Sequence, residues 1–172
     1  MRLLVYGGSG SGKSSFAEDY IASLPDAGKL VYIATMNPAG ADARERIARH
    51  RQSRQDKGFL TIEHYVDLAR VELPPKCSVL LECLGNLLAN EIFSVDGSHE
   101  NAEKVIMEGV AALARHARTV VLVSNDLVRD GCAYSGETER YIRTLAILNQ
   151  RLARDFDMVV ETVCGIPLLL KG

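Results

Sequence analysis

Eight consecutive residues, Gly7-Gly8-Ser9-Gly10-Ser11-Gly12-Lys13-Ser14, fit the pattern GxxxxGK[ST]. Glycines at these positions let the backbone curl until its N–H groups converge on phosphate oxygens. Lys13 then supplies a point charge to the β and γ phosphates, and Ser14 offers a hydroxyl to Mg²⁺. The pattern carries this meaning only between a strand and a helix, and the flanking residues provide both. Arg2 to Tyr6 form a short apolar run, and the stretch from Lys13 to about Ser23 has helical character, with Pro25 and Gly28 beyond its end.

A second group of reactive residues lies between Arg44 and Arg54. On a helix, Arg46, His50 and Arg54 fall on one face at i, i+4 and i+8. Neighbouring guanidinium groups disfavour another positive charge, which leaves the His50 imidazole with a ring nitrogen available for attack. The arginines gather phosphates around it. A nucleophile of this kind suits the α-phosphate of a nucleotide. Taken alone, the segment also fits a solvated basic helix carrying an incidental histidine.

Carboxylates complete the set. Glu82 closes the run SVLLE and Asp126 follows VVLVSN. Both are expected at the carboxyl edge of a sheet, where α/β proteins bind ligands. Each is suited to holding Mg²⁺, orienting water or accepting a hydroxyl proton, and each is equally suited to capping a helix. Glu63 is a weaker candidate. Arg140 and Arg143 lie on a long helix that either reaches the site or presents them to solvent, and Leu145, Leu148 and Leu152 on that helix read as core or subunit contact. His64, His99 and His116 have no ligand spacing.

The elements that must position these groups alternate. Strands are expected at 30–35, 60–64, 78–83 and 119–124. Helices are expected at 41–55, 84–93, 102–116 and about 137–154. The runs MVVETVCG and PLLLKG, separated by Gly165-Ile166-Pro167, read as a hairpin at one sheet edge. Strands rich in Val, Ile and Leu between helices indicate a mainly parallel sheet covered on both faces. No repeat or linker divides the 172 residues, so one domain spanning 1–172 is expected.

Composition narrows the function classes. Twenty Lys plus Arg against 22 Asp plus Glu give a formal charge of -2, which argues against a protein held on nucleic acid or membranes by bulk positive charge. Cys77, Cys83, Cys132 and Cys164 form no CxxC pair and read as reduced core thiols, as expected of a cytoplasmic protein. The apolar stretch at the N-terminus is too short for a membrane span or an export signal.

Several segments, taken in order, resemble one family. They are the loop at Gly7 to Ser14, Ile33-Ala34-Thr35, Arg46 to Arg54, Thr61 to Glu63, Leu80 to Cys83, Asn90, Val123 to Asp126, Asn149 to Ala153 and Val163 to Gly172. The family is the bifunctional adenosylcobinamide kinase and adenosylcobinamide-phosphate guanylyltransferase of cobalamin biosynthesis. This chain departs from its pattern at Gly10, Phe59, Asp126 and Val128. The resemblance implies phosphorylation of adenosylcobinamide with ATP or GTP, followed by GMP transfer from GTP through a GMP-histidine intermediate at His50, giving adenosylcobinamide-GDP. It also implies guanine-nucleotide contacts from Ala34, Thr35, Met36, Arg51, Gln52, Ser53, Arg54, Glu63 and Glu82. A RecA-like P-loop sheet with an antiparallel C-terminal edge strand and a homotrimer are further expectations. Two rivals stay open on sequence: a P-loop kinase of small metabolites without a covalent step, and a nucleotide-dependent switch or binding module.

Overall fold

The computed structural model describes residues 1–37, 57–127 and 134–172. The expected helix at 41–55, with His50, Arg51, Gln52, Ser53 and Arg54, lies outside the described residues, as do Val128 and Cys132. Within them, the chain runs β1 (Arg2–Gly7), α1 (Lys13–Ser23), β2 (Lys29–Ala34), β3 (Leu60–Glu63), β4 (Cys77–Leu81), α2 (Leu84–Phe93), α3 (Ala102–His116), β5 (Thr119–Asn125), α4 (Gly136–Asp155), β6 (Met158–Val163) and β7 (Ile166–Lys171). Short 3-10 turns occupy Leu68–Arg70 and His99–Asn101.

Among the described residues, seven strands form one sheet in the order β3-β2-β4-β5-β1-β6-β7. The pairs are parallel except β6 with β7. Alternation along the strands sends side chains to both faces, and both are apolar because both are covered. Leu4, Val31, Ile33, Val79, Leu81, Val120 and Leu122 pack with α2, α3 and α4. Leu3, Val5, Tyr32, Leu80, Val121 and Val123 pack on Ala17 and Ile21 of α1. Leu145, Leu148 and Leu152 of α4 are buried in the first of these cores.

The β6–β7 connection differs from the sequence expectation. The turn is Cys164-Gly165, both at positive φ (49° and 81°), the signature of a two-residue primed hairpin. Ile166 and Pro167 already belong to β7, where proline is tolerated because the strand lies at the sheet edge. Cys164 is consequently exposed rather than a core thiol, and Cys83 is only partly buried, whereas Cys77 is buried as expected. Lys171 ties β7 back to the protein. Its ammonium donates to the carbonyls of Ala153 (3.0 Å), Arg154 (2.7 Å) and Phe156 (2.6 Å), satisfying the C-terminal carbonyls of α4.

Candidate functional site

Gly7 to Ser14 join β1 to α1 in the context the pattern requires. Gly12 is the residue before the helix, with φ 89°, and a Cβ there would lie 3.2 Å from the Gly165 Cα. Left-handed backbone and close packing together demand glycine. The side chain of Lys13 is buried and curls over the loop to donate to the Gly8 carbonyl at 2.8 Å. Burial lowers its pKa, an effect partly opposed by Cys83.

The C-terminal hairpin braces this loop from the far side of the sequence. The Ser11 and Thr162 hydroxyls are 2.8 Å apart, and the Gly165 N–H donates to the Ser11 carbonyl at 3.0 Å. The hairpin thereby occupies one of the loop's own acceptors. Thr162 is 2% exposed, on a strand whose other buried residues, Val159 and Val160, are apolar. The threonine within the run MVVETV is the sequence signal for this contact.

The other carboxyl-edge residues gather next to the loop. Glu82 and Cys83 lie just past β4, one residue beyond a strand shorter than expected. Glu82 is buried and does not cap a helix: its Oε2 accepts from the Thr35 N–H at 3.2 Å. The cap of α2 is Cys83, whose sulfur accepts from Asn86 N at 3.4 Å and Asn125 Nδ2 at 3.5 Å. Burial is the main cause raising the Cys83 thiol, and the charge of Glu82 adds to it. Tyr141 donates to the Gly85 carbonyl at 3.2 Å, and burial together with Cys83 pushes its phenol up to about 12.

Toward the far edge, Ala34 at the end of β2 pairs in register with Glu63 at the end of β3. The buried Thr35 hydroxyl donates to the Cys83 carbonyl at 2.9 Å, and Met36 follows it half-buried. Asn90 of α2 donates to the carbonyls of Thr35 (2.8 Å) and Tyr65 (3.0 Å), and so locks two strand ends together. Its neighbour Glu91, 1% exposed, accepts from Asp67 N (2.6 Å), Ser98 N (2.9 Å) and Ser98 Oγ (2.7 Å). A carboxylate inside the apolar run LGNLLANEIF was a visible sign of such a clamp.

The remaining candidates stand apart. Asp126 donates its backbone N–H to Gly7 O at 3.0 Å, but the residue lines a largely apolar cavity with Leu4, Tyr6 and Asn149 under α4. Arg140 serves the start of α3, pairing with Glu100 at 3.0 Å and donating to the His99 carbonyl at 3.0 Å, and Arg143 is exposed. His64 and His99 bond backbone carbonyls. Among the described residues no group of His, Cys, Asp or Glu forms a metal cluster, and no helix is long and apolar enough to cross a membrane.

A mainly parallel sheet with a glycine loop leading into a helix, a buried lysine at the start of that helix and carboxylates at the carboxyl ends of β3 and β4 defines a protein of the P-loop nucleotide-binding fold. Solved structures share the fold at low identity. The flagellar accessory protein FlaH of Methanocaldococcus jannaschii has a TM-score of 0.52 at 12% identity, over 99% of this chain and 77% of that one. A KaiC-like protein, PH0186 of Pyrococcus horikoshii OT3, has 0.51 at 13%, over 93% and 71%. The sequence profile of the cobinamide kinase / cobinamide phosphate guanyltransferase family matches residues 3–170, and the chain belongs to that family. It is therefore a transferase enzyme, which sets aside the switch or binding module. Full-length relatives agree. The bifunctional adenosylcobalamin biosynthesis protein CobU of Escherichia coli K12 is 33% identical over 99% of this chain and 100% of its own length. The corresponding CobP protein of Pseudomonas aeruginosa is 31% identical over 100% and 98%.

Proposed function

We propose that this chain is a single-domain, cytoplasmic, homotrimeric enzyme that makes adenosylcobinamide-GDP in two transfers. In the first, the adenosylcobinamide hydroxyl attacks the γ-phosphorus of ATP or GTP, and the nucleoside diphosphate leaves. In the second, a His50 ring nitrogen attacks the α-phosphorus of GTP and pyrophosphate leaves. A phosphate oxygen of adenosylcobinamide phosphate then attacks the same phosphorus and releases His50.

The observation that carries this reading is the row of groups along the carboxyl edge. The phosphate loop follows β1, Glu82 follows β4, Thr35 follows β2, and Glu63 ends β3. β1 and β3 are four strand spacings apart in the sheet order. At ~4.8 Å per spacing the row spans roughly 19 Å, of the order of an extended nucleoside triphosphate. Phosphates rest on the loop and Lys13, while Ala34, Thr35 and Met36 flank the nucleoside and Glu63 reads the guanine. His50 and the Arg51–Arg54 cations act at the α-phosphate. Ser14 and the buried Glu82 are hard oxygen donors suited to Mg²⁺, more so than Asp126 in its apolar cavity. Mg²⁺ neutralises phosphate charge when bound. The free thiols of Cys77, Cys83 and Cys164 support a reducing compartment, and the exposed Ile166, Leu168, Leu169 and Leu170 of β7 support association of copies.

The deciding experiment incubates wild type and His50→Asn with α-labelled GTP. The wild type is expected to carry acid-labile, alkali-stable label, as a phosphoramidate does. The variant should carry none and yet keep phosphorylating adenosylcobinamide. Equal labelling of both proteins would falsify the role of His50, and no label on the wild type would favour the kinase without a covalent step.

A further inference from the structure

The loop after β3 is unusually well fastened for a surface connection. His64 N–H continues the sheet ladder to Ala34 O at 3.0 Å, Tyr65 O accepts from Asn90, and Asp67 N–H is held by Glu91. His64 Nε2 lies 3.0 Å from Asp67 O and closes the loop on itself. With its backbone fixed at Asn90, the half-buried Tyr65 side chain turns back toward β3, and its hydroxyl donates to Glu63 Oε2 at 2.9 Å. Beside this pair opens a cavity of about 280 Å³, whose lining includes Asn37, Glu63, Tyr65, Asn90, Ser94 and Asp96.

The volume lies just under the ~300–1,000 Å³ of pockets that enclose whole drug-sized ligands, so it suits one ring system rather than a complete nucleotide. Two carboxylates in its lining repel phosphate and favour an edge rich in hydrogen-bond donors. A carboxylate has about four lone-pair sites on two oxygens, so Oε2 can accept from Tyr65 and from a ligand together. Guanine offers two adjacent donors, N1–H and the 2-amino group. Adenine offers one donor beside an acceptor, whose lone pair would face the carboxylate.

We propose that Tyr65 is a positioning residue for guanine recognition, its hydroxyl holding the Glu63 carboxylate in the orientation that accepts from N1–H and the 2-amino group at once. The proposal rests on the reading that Glu63 faces the guanine. Tyr65 touches no reacting atom, and its effect is on which base is accepted. A carboxylate less confined to that orientation gains less from the paired donors. A fixed one rewards the pair.

The test compares equilibrium binding of GTP and ITP, which lacks the 2-amino group, by wild type, Tyr65→Phe and Glu63→Gln, with thermal midpoints recorded for each. The wild type should prefer GTP. Tyr65→Phe, which removes one oxygen from a half-buried ring, should keep its midpoint and lose about 2- to 10-fold of the GTP:ITP preference, the factor for one net hydrogen bond. Glu63→Gln should abolish most of that preference. If Glu63→Gln abolishes it and Tyr65→Phe leaves it intact, the positioning role is wrong while the guanine reading stands. Equal weakening of GTP and ITP by Tyr65→Phe, with or without a lowered midpoint, would reduce the tyrosine to structural support and overturn the proposal. A wild-type preference unchanged in Glu63→Gln would refute the guanine reading and the proposal with it.

Discussion

Replacing Glu91 by glutamine isolates what one buried carboxylate does for the carboxyl edge of the sheet. The shape is preserved, but one of two accepting oxygens becomes an NH₂ group. If it replaces Oε1, the Asp67 N–H, held at 2.6 Å, faces a donor. If it replaces Oε2, the Ser98 N–H faces a donor while the Ser98 hydroxyl turns from donor to acceptor. The cheaper choice leaves one buried N–H unsatisfied, at about 1–3 kcal/mol, and turns two charge-assisted bonds into neutral ones at about half strength. A neutral amide is easier to bury than a carboxylate, which offsets part of this loss. The net expectation is about 2 kcal/mol of lost stability. Urea unfolding reads it directly: with a slope of about 2 kcal/mol/M the midpoint should fall by about 1 M. A midpoint unchanged or raised, with the slope constant, would mean that Glu91 fastens nothing and that the 64–67 loop is held by other means.

Glu82→Gln should leave the thermal midpoint nearly unchanged, because the Thr35 N–H can still be accepted, while lowering nucleotide-dependent turnover; unchanged kinetics across a Mg²⁺ titration would return Glu82 to a structural role. Lys171→Met should cost about 1–3 kcal/mol in denaturant unfolding, since three carbonyls at the end of α4 lose a cationic donor, and a loss near zero would show that water replaces it freely. The Arg2 side chain and N–H hold the Asp157 carboxyl below its ordinary pKa. A depressed folded-state pKa contributes stability above the unfolded value, lost as pH falls through the folded one. Asp157→Asn should therefore destabilise at neutral pH, with the difference from wild type closing in acid; an equal difference at every pH would refute the linkage.

The sheet was readable because its strands are short apolar runs bounded by turn residues, and because a phosphate loop can only sit between a strand and a helix. Glu82 was placed correctly at a strand end for the same reason. Its partner was not, since Thr35 lies 47 positions away and only the β2–β4 pairing makes them neighbours. Arg140 shows the converse. Sequence puts it on the helix after a polar loop, but helix phase turns it toward Glu100. The hairpin turn, expected at 165–167, lies at 164–165 because Gly-Ile-Pro reads as punctuation, although glycine at the second position of a two-residue turn and proline on an edge strand both satisfy the local backbone rules. Glu91 stands out in sequence only as a carboxylate within an apolar run, and its partners, like the role of Tyr65, become visible only when the loop between β3 and β4 folds over α2.

The brace between Ser11 and the Cys164-Gly165 turn has a consequence for how the protein opens. Ser11 shares a hydroxyl contact with Thr162, 151 positions away, and a backbone bond with Gly165, so the phosphate loop and the last hairpin are expected to unfold as one cooperative unit rather than as a mobile loop and a fraying end. A nucleotide that binds only the closed loop raises the opening free energy of that whole unit. The Gly165 amide, whose hydrogen is held by the Ser11 carbonyl, should then slow its exchange in step with nucleotide concentration, making the carboxyl-terminal hairpin a reporter of events at the amino-terminal loop.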